Sequence, residues 1–118
     1  YISGKYSFKS GYEAMDQLLS RGIKVTAVFA MADVMAIGAI SAICDYGLRV
    51  PQDISVVGFD GIQIGEFYCP KITTIEQNAK QLAKRSYEML VECIEQNAPA
   101  RHEYIPFRLK CRQSVRKI

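Results

Sequence analysis

The sequence is short of what most enzymes work with. Among 118 residues there is one histidine, His102, set in a polar stretch between Arg101 and Glu103 with no Ser or Cys nucleophile motif nearby. A solvated side chain is its expected role. GxGxxG, GxxxxGK followed by Ser or Thr, and HExxH are all missing, and with them the usual carriers of dinucleotide, triphosphate and zinc-peptidase chemistry. No catalysis is expected, and no cofactor.

Cysteine is present but unorganised. Cys44, Cys69, Cys93 and Cys111 are widely spaced, without a CxxC pair and without a histidine at metal-ligand spacing, which argues against a zinc site or a redox pair. Each adjoins apolar residues, as in Ile43-Cys44 and Cys93-Ile94, so reduced thiols acting as small core hydrophobes are expected. No apolar run reaches 18 residues, and Tyr1-Ile2-Ser3-Gly4 lacks a basic segment leading into an apolar one, so a soluble, cytoplasmic protein without a membrane partner is expected. The missing initiating Met suggests a piece of a longer chain. A net charge of +3 is too small to suggest nucleic-acid binding by this segment. The basic residues Arg108, Lys110, Arg112, Arg116 and Lys117 alternate with others in part, as on one solvated strand face.

What is there is ordinary globular content, 49% hydrophobic and 23% charged, enough for one domain that hides roughly two thirds of its unfolded surface. Ser10 and Glu13 read as a capping box, with Tyr12, Met15, Leu18 and Leu19 at helical spacing as far as Arg21-Gly22. Val25 to Ala30 reads as a strand buried on both faces. From Asp33 the chain is apolar almost all round through Ile43, the pattern of a buried helix. Its small residues Ala36, Gly38, Ala39 and Ala42 would let it lie close against a sheet, and Gly47 would close it as a left-handed cap. Ile54 to Phe59 reads as a second, parallel strand, so the order is strand, helix, strand. A short helix or turn over 62–68, a β segment over 72–75, a long helix over 78–96 and extended structure around Pro106 follow. The expected class is α/β, a Rossmann-like parallel sheet flanked by helices.

In open parallel sheets, ligands bind beyond the carboxyl ends of the strands. Asp33 and Asp60 both fall there, one crossover apart. Asp33 directly precedes a helix and reads chiefly as its N-cap. Asp60 lies between Phe59 and Gly61, where its carboxylate could accept two hydrogen bonds from neighbouring hydroxyls of a sugar or ribose. Tyr6, in a loop before the first helix, could stack on a sugar or base face.

Thr26 to Ala39, with Gly47 to Asp60 and then Pro70 to Gln77, closely resembles the C-terminal subdomain of lactose-repressor (LacI/GalR) type transcription regulators. Ser10 to Met15 adds a further block, and the likeness continues through Arg112-Gln113-Ser114. The resemblance implies a periplasmic-binding-protein-like fold of type I, in which two α/β subdomains close on a small effector. It also implies a homodimer, and operator DNA bound only through a separate N-terminal helix-turn-helix headpiece absent here. By position it makes Asp60 the contact to effector hydroxyls and Tyr6 the stacking residue, with Ala32, Gln77 and Asp33 lining the pocket. Ala32 stands where sugar-responsive members often carry Asn. Lys5 replaces a commonly acidic residue, so a sugar phosphate or other anionic effector comes into view; the effector class expected is a sugar, a sugar phosphate or a nucleobase-like molecule.

The resemblance also implies dimer contacts near Met31 and Met35 and at Phe67 and Tyr68. The helix over 78–96 would pack on the missing N-terminal subdomain in a full protein; in this chain it is expected to fold back on its own sheet or on a neighbouring chain, since an apolar face is costly to leave in water. The alternatives are a solute-binding protein of a sugar transport system and a flavodoxin-like or epimerase-like enzyme.

Overall fold

A computed structural model of the chain describes residues 2–117. The chain divides into two compact units: the described residues up to Glu76 together with those from Leu109 onward, and Gln77–Arg108.

In the first unit, helix α1 spans Phe8–Ser20. Its cap is Ser7, whose hydroxyl accepts the N–H of Ser10 at 3.1 Å. The Ser10–Glu13 capping box is therefore corrected: the helix starts a turn earlier, Ser7 caps the amide of Ser10 rather than Ser10 that of Glu13, and the hydroxyl of Ser10 accepts from Lys5 N at 2.7 Å. Gly22, at φ 69°, follows the last turn as expected.

Strand β1 (Ala27–Phe29) leads to helix α2 (Asp33–Asp45), strand β2 (Ser55–Asp60), the single-turn helix α3 (Ile64–Phe67) and strand β3 (Thr73–Glu76). The sheet runs β1-β2-β3-β4, with β4 at Arg108–Lys110. β1 pairs with β2, and β2 with β3, both in parallel. This is the expected strand, helix, strand order, with the two strands adjacent. The burial expected for β1 is corrected. As the outermost strand it has cover on one face only, and Phe29 is 54% exposed. Along β2, buried Val56 and Gly58 alternate with half-buried Val57 and Phe59, so one sheet face meets α2.

α2 is buried nearly all round, as its composition requires, and Gly47 closes it at φ 71°. The helix approaches the sheet closely at its first residue, Asp33, over Gly58, and approaches α1 more closely still. A β-carbon on Gly38 would stand 2.0 Å from the carbonyl oxygen of Phe8, and one on Gly11 would stand 2.2 Å from that of Met35. Two reciprocal bonds latch the crossing: the Tyr12 hydroxyl donates to Asp45 at 2.8 Å and the Tyr46 hydroxyl to Asp16 at 3.0 Å. Each bond to a carboxylate holds its phenol in the protonated form and raises its pKa. Met15, Ile40, Ile43, Ile54, Val56 and Ile72 fill the core beneath.

Residues after β4 close the unit. The buried Ser114 hydroxyl donates to Val56 O at 2.6 Å and accepts from Thr73 N at 2.8 Å, bridging β2 and β3. Ser114→Ala leaves a buried N–H and a buried carbonyl without that partner, so a loss of about 2 kcal/mol is expected in urea unfolding. The basic tail is not uniformly solvated, which corrects the expectation for two of its members. Arg112 donates to Ile72 O at 2.8 Å and to Glu66 at 2.7 Å, and Lys110 bonds Glu76 at 2.5 Å and Glu66 at 3.4 Å. Their inward register beside β3 brings them onto carboxylates, and the bond to Glu76 raises the Lys110 pKa.

The second unit holds helix α4 (Ala79–Glu95), capped by Asn78, whose side chain accepts from Gln81 N at 3.2 Å. No residue of α4 is buried, and Leu82, Leu90 and Ile94 remain exposed. Arg85 pairs with Glu103 and with Glu88, and Arg101 pairs with Glu92 and Glu103. Arg85 first, and Arg101 after it, pull the Glu103 carboxyl down from 4.5 to about 2.

All four cysteines are free and exposed, against the expectation that they fill the core. Neighbours in sequence point to different faces, so an apolar neighbour such as Ile43, itself buried, leaves Cys44 outside. Among the described residues no group of three His, Cys, Asp or Glu is placed to hold a metal ion, and no helix is long and apolar enough to cross a membrane.

Candidate functional site

Asp60 ends β2 with φ at 104°, a left-handed value that costs a non-glycine residue on the order of 1–3 kcal/mol. Gly61 follows at φ 76°. The chain thus turns sharply just past the strand and presents a half-buried carboxylate at the sheet's carboxyl edge. The corner sits tightly on β3: Asp60 is in register with Glu76, and a β-carbon on Gly61 would stand 2.8 Å from the Glu76 backbone. Lys110 holds the Glu76 carboxylate at 2.5 Å.

Asp33 has another role than the one its position suggests. The N-cap of α2 is Ala32, which makes no side-chain capping bond, and Asp33 is the first helical residue. The correction has a packing cause. Gly58 has no β-carbon, and Asp33 Oδ1 fills that space, 2.1 Å from where one would stand. Its Oδ2 accepts the N–H of Ile62 at 2.8 Å, so the carboxylate is turned under the Asp60 corner instead of back onto its own helix. The positive end of α2 still favours the charge. At 0% exposure, Asp33 offers no surface to a ligand, and Ala32 is 2% exposed.

The remaining candidates are dispersed. Tyr6 is 71% exposed in the loop before α1. Gln77, half-buried, opens the second unit. The four residues expected at a dimer contact fall on separate surfaces. Met31 and Met35 line an apolar depression of about 320 Å³ with Phe29 and Leu18, while Tyr68 lines a groove of about 410 Å³ with Tyr12, Ile37 and Ser41. Phe67 is exposed beside it in sequence. Glu76 and Lys110 also meet at this corner; the only local signal for the packing there is the Gly58-x-Asp60 spacing, which demands something to fill the glycine's space.

Residues 1–115 match the periplasmic binding protein-like domain. The chain belongs to that family. It is 42% identical over 113 residues to the HTH-type transcriptional regulator MalR of Clostridium butyricum, covering 96% of this chain and 34% of that protein. The Lac repressor dimer bound to operator and the anti-inducer ONPF superposes with a TM-score of 0.91 at 37% identity, over 95% of this chain and 39% of that one. The transcriptional regulator CelR in complex with cellobiose gives 0.87 at 31% identity, over 94% and 34%. The chain spans about a third of the length of the curated relatives it matches. The α/β architecture and the likeness to LacI-type regulators drawn from the sequence are both borne out.

Proposed function

We propose that the chain is the C-terminal effector-sensing and dimerising part of a cytoplasmic LacI-type transcriptional regulator, and that it performs no catalysis. The observation that carries this reading is the 0.91 superposition, at 37% identity, on a repressor held on its operator. Regulators rather than transport receptors or enzymes recur among the named relatives, which supports it over the two alternatives. The effector is a sugar or a similar polar metabolite, in keeping with the cellobiose of the CelR complex. Asp60 grips its hydroxyls, Tyr6 stacks on it, and Gln77 borders the pocket. Tyr68 and its groove, with Phe67, meet a second copy, and Met31 with Met35 form a further apolar contact. Operator binding belongs to an N-terminal helix-turn-helix headpiece outside this chain.

The test uses the complete protein. A thermal-shift screen of sugars, sugar phosphates and nucleobases is expected to give one class of stabilising ligand, and that ligand is expected to change operator binding in a mobility-shift assay. Stabilisation without any effect on DNA, or turnover of the ligand, overturns the reading.

A further inference from the structure

The turn that follows Asp60 rests on a side chain as well as on backbone. A β-carbon on Gly61 would stand 2.8 Å from Cα, Cβ and Cγ of Glu76, so the turn lies flush on the stem of that glutamate, the register partner of Asp60. A glutamate stem is a firm seat only when its far end is held, because a free side chain moves among rotamers. Here the end is held: the Glu76 carboxylate takes the Lys110 ammonium at 2.5 Å, a short charge-assisted contact. Lys110 is itself anchored from α3, where Glu66 Oε1 lies 3.4 Å from the ammonium and accepts from Arg112 at 2.7 Å. Arg112 in turn donates to the carbonyl of Ile72, a residue with no exposed surface. The Glu76 and Arg112 side chains are only 19% and 12% exposed, so solvent screens these contacts less than it screens an open surface pair.

We infer that Glu76 and Lys110 are positioning residues for Asp60: their ion pair fixes the glutamate stem, and the stem fixes the turn at Gly61. A strained backbone angle, such as the φ of 104° at Asp60, persists only where its surroundings over-determine it. One restraint is the bond from Ile62 N–H to Asp33 Oδ2 at 2.8 Å, just past the turn. The seat beneath Gly61 is the second. Neither Glu76 nor Lys110 needs to touch a ligand; both act through the position of Asp60. The consequence for effector binding rests on the reading that Asp60 grips the effector, whereas the seat itself does not.

Amide hydrogen exchange on the 118-residue chain reads the seat without any effector, so its failure is distinct from failure of the ligand screen. Lys110→Met keeps an unbranched side chain and removes the charge. The Ile62 amide is then expected to lose protection about fivefold, the size of a partly buried ion pair, while the Val56 amide, which donates to Ser114 O within the sheet, is unchanged. Glu76→Gln, which keeps the stem, is expected to give a similar loss, and the double variant no more than Lys110→Met alone, because both changes remove one interaction. Lys110→Arg, which keeps the cation, is expected to keep the protection. If Lys110→Met does not fold, Glu76→Gln carries the comparison. Undiminished protection at Ile62, equal losses at Ile62 and Val56, losses that add in the double variant, or failure of arginine to preserve the protection overturns the positioning role.

Discussion

Replacing Asp60 by glycine in the complete regulator is expected to abolish the effector response while leaving the protein folded. A carboxylate that accepts two hydrogen bonds from ligand hydroxyls contributes charge-assisted bonds of about 1.5–3 kcal/mol each, so their loss weakens effector binding by on the order of a hundredfold or more. Glycine is a sharper test than alanine because of the backbone. At φ 104° any β-carbon is strained, and glycine relieves that strain at an entropic cost of similar size. Stability is therefore expected to stay within about 1 kcal/mol of the parent, read from thermal unfolding without ligand. Effector titration followed by operator mobility shift reads the response. A variant that still releases or tightens on operator at the parent's effector concentration removes Asp60 from the site.

Most of the fold was legible because its elements carry strong local signals. The almost wholly apolar stretch from Val34 to Ile43 reads as a buried helix, and Gly47 and Gly22 both stop helices at positive φ. The strand, helix, strand order followed from hydrophobic runs alone. What escaped depended on partners distant in sequence. The edge position of β1 is a property of sheet order, which no local pattern encodes, so its run of apolar residues was assigned two buried faces when it has one. The exposure of the cysteines has the same origin: adjacency to an apolar residue says nothing about direction.

The site divides along the same line. The place of Asp60 at the strand end was legible because a Gly-x-Asp-Gly turn past a strand is a local signature. Asp33 was misassigned because position before a helix suggests capping, whereas its carboxylate answers to a space left by Gly58, 25 positions away, and to an amide at Ile62. The ions around Glu76 were missed for a similar reason. Lys110 reaches that carboxylate only because β4 returns beside β3 after the whole second unit.

The other large effect is expected at the helix crossing. In an isolated helix Gly→Ala would gain about 1 kcal/mol of propensity, but a β-carbon on Gly38 would stand 2.0 Å from the Phe8 carbonyl oxygen and 2.8 Å from the Tyr12 amide nitrogen. Both are backbone atoms, so relief requires α1 to move as a body, and that movement separates Tyr12 from Asp45 and Tyr46 from Asp16. Overpacking of this kind typically costs about 1–3 kcal/mol before further losses; with the two latches gone a net cost of about 3 kcal/mol is expected for Gly38→Ala. In a domain of this size that lowers the melting temperature by roughly 10 °C. Gly47→Ala is the control: it meets nothing within 4 Å, so only the strain of its φ of 71° counts, and a cost of about 1 kcal/mol is expected. If Gly38→Ala is no worse than Gly47→Ala, the close crossing of α1 and α2 is not what holds this unit together.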